Sequence, residues 1–174
     1  MKDDLAILGG KPILEQDLSV FNRIGEEELN EIKKVMESGE LSGFVGAWCD
    51  EFNGGKAVQE FEEIFCQIFK CKHAISVNSS TTGLIASLGA IGLSPGDEVI
   101  VPPYTMSATA VAPLFYGGIP IFADIEPDFF CIDTEAVKQK ISKKTKAIIA
   151  VNLFGHPAEL IKLKNLADEN NIYL

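Results

Sequence analysis

Short apolar runs alternate with amphipathic segments along most of the chain, and residues 75–106 show this pattern most clearly. The segment opens with Ile75 to Val77, an apolar run of the length of a buried strand. Apolar residues at helical spacing follow: Leu84, Ile85, Leu88 and Ile91. The turn residues Ser94 to Asp97 end that helix, and a second strand is predicted from Val99 to Val101. The segment therefore predicts one βαβ unit.

The same alternation continues to the end of the chain. Further strands are predicted from Pro120 to Ala123 and from Lys146 to Val151. Further helices are predicted at about Met106 to Tyr116 with a bend at Pro113, Thr134 to about Ile141 after an Asp133 cap, and Pro157 to about Asn171. Strands that alternate with helices are typical of an α/β fold. We predict a three-layer α/β/α sandwich with a mostly parallel sheet and right-handed connections.

The first third of the chain has a different pattern. Residues 1–24 have no clear periodicity, and a helix with an acidic first turn is predicted to open at Gly25 to Glu28 and to close at Gly39. A second helix is predicted from about Ala57 to Lys70. Its apolar residues lie on one face, which we interpret as core: Phe61, Ile64, Phe65, Ile68 and Phe69.

A glycine-rich loop separates these two helices. Residues 39–56 hold five glycines and three large aromatic residues, Phe44, Trp48 and Phe52. Such a loop either folds over a site or against a partner subunit, or packs on its own core. The sequence favours neither interpretation.

Three polar loops follow predicted strands: Asn78–Gly83, Pro102–Met106 and Asn152–Pro157. Because ligands of parallel α/β sheets bind at the carboxyl ends of the strands, these loops are expected to converge. The first loop is rich in hydroxyl groups and precedes a helix, whose amino terminus attracts anions, so it suits a phosphate. Ser and Thr are also common helix caps without a ligand. Neither GxGxxG nor a P-loop lysine is present, so the usual nucleotide motifs are missing.

Composition restricts the partners. The chain has 174 residues, of which 47% are hydrophobic and 23% charged, as in ordinary globular domains. Its net charge is −10 without a basic cluster, which disfavours nucleic acid and anionic membranes as partners. No apolar run has the length of a membrane span or resembles a signal peptide, so a cytoplasmic location is expected.

The sequence does not predict a metal site. The four cysteines are irregularly spaced, and free thiols are the better interpretation even for Cys66 and Cys71 near His73. The acidic run from Asp124 to Asp128 is interpreted as a solvated turn. At the other end of the chain, Ile172 to Leu174 predict the opening of another strand, and a domain seldom ends there because its backbone must pair. We therefore expect the chain to be a fragment.

Four segments in this order resemble one family: VNSSTTGL, SPGDEVIVPPYTMSATA, IPIFADIEPDFFCIDTEAV and TKAIIAVNLFGHPAELIKL. The chain resembles the DegT/DnrJ/EryC1/StrS family of pyridoxal-phosphate (PLP) sugar aminotransferases, which have the aspartate-aminotransferase fold (fold type I). The resemblance implies two parts. Residues 1–56 form an irregular segment, a helix and the glycine-rich loop, and residues 57–174 form an incomplete PLP-binding large domain.

The resemblance also assigns site residues. Ser80 and Thr81 fall on the pair that holds the cofactor phosphate through backbone N–H groups and the Thr81 hydroxyl. Met106 falls on the residue that stacks on the pyridine ring, where the family usually has Phe or Trp. Asn152 falls on a polar residue near the oxygen of the cofactor ring. The family is dimeric, which makes the loop of residues 39–56 a candidate interface.

Two residues of the family pattern have no counterpart in residues 1–174: the Asp that pairs with the pyridinium nitrogen and the lysine that binds the cofactor covalently. The resemblance therefore implies no catalytic residue in this chain, which is expected to be inactive alone. It implies a parent enzyme that moves an amino group, usually from glutamate, onto a keto-sugar linked to a nucleotide.

Two other interpretations stay open. The first is a shortened, non-catalytic relative that serves as a regulatory or assembly subunit. The second is an unrelated flavodoxin-like or nucleotide-binding α/β domain that is complete as it stands.

Overall fold

A computed structural model of the chain describes residues 5–14, 16, 23–41 and 43–174. The chain divides into two compact units, Met1–Ser76 and Val77–Leu174. Part of the predicted irregular segment 1–24, and residue 42 of the glycine-rich loop, lie outside the described residues. The domain boundary at residue 56 stays a prediction.

The first unit contains helices α1 (Glu26–Ser38) and α2 (Lys56–Phe69), with short 3-10 turns at Ala6–Leu8 and Asp50–Asn53. Both predicted helices are confirmed to within two residues at each end. The Glu28 carboxylate accepts a hydrogen bond from the backbone N–H of Gly25 at 2.7 Å, which closes the first turn of α1. Gly39 ends α1 in the left-handed conformation, with φ of 73°.

The interpretation of the α2 stripe as core is wrong for the described residues. No residue of α2 is buried. Its phenylalanines contact one another along the helix instead, with centroids 6.2 Å apart for Phe61 and Phe65 and 4.3 Å apart for Phe65 and Phe69. Helical spacing decides which residues share a face, but burial also needs a second surface, which the pattern of one helix cannot supply.

The second unit is built on three parallel strands in the order β2-β1-β3. They are β1 (Glu98–Val101), β2 (Ile119–Phe122) and β3 (Thr145–Ile148). The helices are α3 (Ser80–Ala90), α4 (Ala108–Val111), α5 (Thr134–Lys140) and α6 (Leu160–Glu169). The predicted bend at Pro113 is confirmed, because a 3-10 turn, Ala112–Tyr116, follows α4 directly.

Alternate residues of the strands face two separate cores. Val99 and Val101 of β1 pack with Leu88 of α3 and with Ala112. Ile100 points to the opposite face, where it joins a cluster with side chains from α5 and α6, including Val137 and Leu163. The sheet therefore has helices on both faces, which confirms the predicted three-layer α/β/α sandwich.

Two local predictions are wrong. Ile75 to Val77 form no strand, and Ile75 is 82% exposed. The backbone N–H of Ser76 donates to the Glu62 carboxylate at 2.6 Å. This N–H is therefore paired with a side chain and not with the backbone of a neighbouring strand. Pro157 does not begin a helix either, because α6 starts at Leu160.

The predicted strand opening at Ile172 to Leu174 is confirmed at its central residue. Tyr173 forms a parallel bridge with Ala147 of β3. Its N–H donates to Lys146 O at 3.0 Å, and its carbonyl accepts from Ile148 N at 2.8 Å. The chain therefore adds to the edge of β3 that does not face β1.

We predict that Leu163→Ala lowers the free energy of unfolding of the chain by about 2–5 kcal/mol, because it leaves a cavity in the α5–α6 core. Leu163 has no exposed surface, whereas Ile161 on the same helix is 80% exposed. The control Ile161→Ala should change the free energy by no more than about 0.5 kcal/mol. Urea denaturation measures both, and equal losses would contradict the assigned core.

Candidate functional site

Aromatic side chains join the loops at the carboxyl edge of the sheet. The Tyr104 ring follows β1 and contacts the Phe154 ring, which follows β3, with centroids 6.4 Å apart. It also contacts the Phe130 ring, which follows β2, at 5.8 Å. The predicted convergence of loops 102–106 and 152–157 is thus confirmed. The loop after β2 joins them, which the sequence analysis did not predict.

The hydroxyl-rich loop also lies toward the carboxyl edge, because of the direction in which α3 runs. The Tyr116 hydroxyl, just before β2, donates to Ile85 O at 3.0 Å. A Cβ built on Gly89 would lie 2.3 Å from that hydroxyl oxygen, so the last turns of α3 pack closely on this ring. Tyr116 marks the amino end of β2. The first turn of α3 therefore points toward the carboxyl edge.

Side-chain hydrogen bonds fix the shape of this first turn. Ser79 is the N-cap, and its Oγ accepts from the backbone N–H of Thr82 at 3.1 Å. The Thr82 hydroxyl donates to Asn78 Oδ1 at 2.6 Å and lies 3.0 Å from Ser79 Oγ. Asn78, Ser79 and Thr82 are thus linked to one another by hydrogen bonds.

Ser80 and Thr81 are the first two residues of α3, and both are exposed. Within the described residues, their backbone N–H groups and the Thr81 hydroxyl have no hydrogen-bond partner. The first N–H groups of any helix lack intrahelical acceptors, and the helix dipole makes this end positive. An accessible, unpaired pair of donors is what a phosphate group needs, so these residues fit the cofactor phosphate.

The other two assigned residues lie on the converging loops. Met106 follows β1 and is 78% exposed, and its carbonyl accepts from Thr109 N at 3.0 Å. Asn152 follows β3, and its Oδ1 accepts from Ala158 N at 3.0 Å. This bond leaves the Asn152 side-chain N–H groups to donate elsewhere. The contacts of all four assigned residues with a cofactor stay a prediction.

The acidic run after β2 is a structured turn. The Glu126 carboxylate accepts backbone hydrogen bonds from Asp128 at 2.8 Å, Phe129 at 2.9 Å and Cys131 at 3.0 Å. These bonds, above all that from Phe129, lower the pKa of Glu126 below its ordinary value of 4.5. The sequence analysis noted Glu126 as part of an acidic run but did not predict that its carboxylate accepts the backbone N–H groups of this turn. No group of three potential metal ligands occurs in the described part of the chain.

A second aromatic contact also escaped the sequence analysis. The rings of Phe129 and His156 stack with centroids 4.0 Å apart and an angle of 10° between their planes. They line a cavity of about 360 Å³ between the loops that follow β2 and β3. A single sequence carries no signal for this pair, because its members are far apart along the chain.

Comparison with known proteins gives the family of this chain. The model of the DegT/DnrJ/EryC1/StrS aminotransferase family matches residues 22–174. The chain belongs to this family. The alternative of an unrelated flavodoxin-like domain is thereby excluded, and the fold class inferred from the resemblance is confirmed.

Two curated relatives of this DegT/DnrJ/EryC1/StrS chain are named for reactions on sugars. GDP-perosamine synthase of Vibrio cholerae is 40% identical over 120 residues, which are 69% of this chain and 33% of that protein. The 3-oxo-glucose-6-phosphate:glutamate aminotransferase of Bacillus subtilis is 32% identical over 157 residues, which are 90% of this chain and 33% of that protein. The chain thus spans about a third of the length of these relatives.

Solved structures of similar fold include some with a bound cofactor. The crystal structure of NtdA from Bacillus subtilis, with bound cofactor PMP, has a TM-score of 0.75 and 31% identity to this chain. The match covers 84% of this chain and 31% of that one. In the described residues of the present chain, no helix is both long and apolar enough to cross a membrane.

We predict that Glu126→Gln makes stability less sensitive to acid. Because the folded pKa lies below the unfolded value of about 4.5, the ionised carboxylate stabilises the fold above that pH. This contribution is lost as the pH falls from about 4.5 through the folded pKa. Urea denaturation at pH 7 and at successively lower pH should give a shallower decline for the variant, and parallel declines would contradict the assigned bonds.

Proposed function

We propose that these 174 residues are the amino-terminal part of a PLP-dependent aminotransferase that acts on a keto-sugar. The observation that carries the proposal is that the exposed residues Ser80 and Thr81 have backbone N–H groups with no acceptor among the described residues, on a chain of an aminotransferase family. The names of the relatives support a sugar substrate, linked to a nucleotide as in the parent enzymes that the resemblance implies. The name of the second relative supports glutamate as amino donor.

The residues of this chain bind and orient the cofactor. The Ser80 and Thr81 N–H groups and the Thr81 hydroxyl hold its phosphate, while Thr82 keeps the turn in shape through Asn78 and Ser79. The Met106 thioether would pack against the cofactor ring, more weakly than an aromatic residue would. The side-chain N–H of Asn152 would be free to donate to the ring oxygen, because its Oδ1 accepts from Ala158 N.

The chemistry itself comes from the cofactor, which serves as an electron sink when bound. The family pattern places its two further partners, the Asp at the ring nitrogen and the covalently bound lysine, outside residues 1–174. Alone, these residues are therefore expected to hold the phosphate end of PLP without transferring an amino group. Borohydride reduction of residues 1–174 with PLP should attach no cofactor to a specific lysine, and specific attachment would contradict this division of roles.

Activity of the full-length protein tests the proposal directly. With PLP, glutamate and a nucleotide-linked keto-sugar, it should form the amino-sugar and 2-oxoglutarate. If the full-length protein binds PLP but converts no keto-sugar, the proposed reaction is rejected. That result would favour the alternative of a non-catalytic regulatory or assembly subunit.

We predict that Ser80→Pro weakens PLP binding by the full-length protein about tenfold or more, because hydrogen bonds to charged groups contribute about 1.5–3 kcal/mol. Proline removes the N–H of Ser80, and proline is well tolerated at the first position of a helix. The extended backbone of Ser79, with φ of −162° and ψ of 158°, is compatible with a following proline.

The matched control is Ser80→Ala, which keeps the N–H and should bind PLP with nearly unchanged affinity. Pyridoxal, which lacks the phosphate, should bind equally to both variants. Fluorescence titration measures all four affinities. Equal PLP affinities of the proline and alanine variants would contradict the assigned donor.

We also propose that the full-length protein is a homodimer to which the loop of residues 39–56 contributes. The Trp48 ring stacks on Phe52 with centroids 4.4 Å apart and is 90% exposed. We predict that Trp48→Ala shifts the full-length protein toward monomer in sedimentation velocity. The control Ile32→Ala removes an exposed apolar side chain from α1 and should leave the profile unchanged. A Trp48→Ala profile equal to that of the unaltered protein would contradict the proposed interface.

A further inference from the structure

We propose that the stacked rings of Phe129 and His156 position Asn152 for the cofactor. This inference rests on the proposed function, because it gives Asn152 its assigned role. Neither ring belongs to the assigned site residues. Both lie on loops at the carboxyl edge, one after β2 and the other after β3.

The first loop supplies a fixed support for the stack. Glu126 accepts three backbone N–H groups of its own turn, and its backbone N–H donates to Cys131 O at 2.9 Å. Cys131 is 4% exposed and lies in the core cluster beneath α5 and α6. The turn that carries Phe129 is therefore closed on itself and anchored in the core.

The second loop is closed by Asn152. Its Oδ1 accepts from Ala158 N at 3.0 Å, and within the loop His156 N donates to Leu153 O at 2.9 Å. Phe154 has φ of 51°, which is unfavourable for a bulky side chain and persists only where the surroundings impose it. A loop of this kind needs an external contact to keep a single conformation.

Phe154 contacts the Tyr104 ring, and the stack provides a second external contact at His156. The His156 ring lies flat on Phe129, and the Cys131 thiol donates to His156 O at 3.5 Å. His156 is thus held through both its side chain and its backbone by the anchored turn. Because the Asn152–Ala158 bond spans His156, movement of His156 displaces the amide of Asn152. We infer that the stack acts on the cofactor through Asn152.

Three variants of the full-length protein test this inference. His156→Leu and Phe129→Leu each remove the stack but keep apolar bulk, while His156→Phe keeps a flat ring and serves as the rescue variant. Two readouts are needed. Hydrogen exchange of the Ala158 amide in the cofactor-free protein reports the loop, and the absorbance maximum and affinity of added PLP report the cofactor ring.

We expect both leucine variants to speed Ala158 exchange and to weaken PLP binding by about two- to tenfold, the range of an aromatic pair. The absorbance maximum of bound PLP should shift, whereas the affinity for inorganic phosphate, which needs only Ser80 and Thr81, should not change. His156→Phe should restore the exchange rate, the absorbance maximum and the PLP affinity.

Unchanged Ala158 exchange in the leucine variants would overturn the inference, and so would failure of His156→Phe to restore the absorbance maximum. If one leucine variant does not fold, the other decides. Failure of the proposed function is distinct, because the unaltered protein would then bind no PLP or would convert no keto-sugar, while Ala158 exchange in the cofactor-free variants would still report whether the stack holds the loop.

Discussion

The candidate site depends on one hydrogen bond at the start of α3, from the backbone N–H of Thr82 to the Ser79 hydroxyl. This bond satisfies the third N–H of the helix, whereas the first two, at Ser80 and Thr81, have no acceptor in the part of the chain that the structure describes. Because the Thr82 hydroxyl binds Asn78 as well, the loop before the helix has a defined shape without a ligand. Two donors are thus fixed in place before an anion arrives, which lowers the cost of binding it.

The packing of α3 places these two donors toward the carboxyl edge of the sheet. Leu88 packs with Val99 and Val101, and the close contact of Gly89 with Tyr116 sets the helix against the turn before β2. The same sheet presents Met106 and Asn152 at its carboxyl edge, on the loops after β1 and β3. The Tyr104 ring then ties these loops together through Phe154. The ends of the strands determine where each loop begins, and the aromatic contacts determine the path of the loop.

Local signals in the sequence were sufficient for the helices apart from the start of α6, for the three strands of the sheet, for the bend at Pro113 and for the hydroxyl-capped loop. Each of these depends on residues close together in the chain: a cap, a period or a turn. The sequence analysis failed where a second surface was needed. Ile75 to Val77 have strand composition, but a strand exists only beside another strand. The α2 stripe has core periodicity, but a core needs a facing element.

The sequence analysis missed the stack of Phe129 on His156 for the same reason, because this contact also depends on a second element. Phe129 and His156 are brought together by the parallel order of β2, β1 and β3, which no local pattern encodes. The assignments of Met106 and Asn152 came from the family resemblance, and periodicity alone would have found neither. Glu126 was visible as an acidic residue, yet only the structure identifies its carboxylate as the acceptor of three backbone N–H groups.

The central claim is that the backbone N–H groups of Ser80 and Thr81 hold the phosphate of PLP. Nuclear magnetic resonance of the 15N-labelled full-length protein tests it most directly. The measured quantities are the amide proton shifts during titration with PLP and, separately, with pyridoxal. The account predicts a downfield shift of the Ser80 and Thr81 amide protons with PLP but not with pyridoxal, and a smaller change at Thr82, whose N–H is already bonded. Saturable PLP binding that leaves the Ser80 and Thr81 resonances unmoved would contradict it.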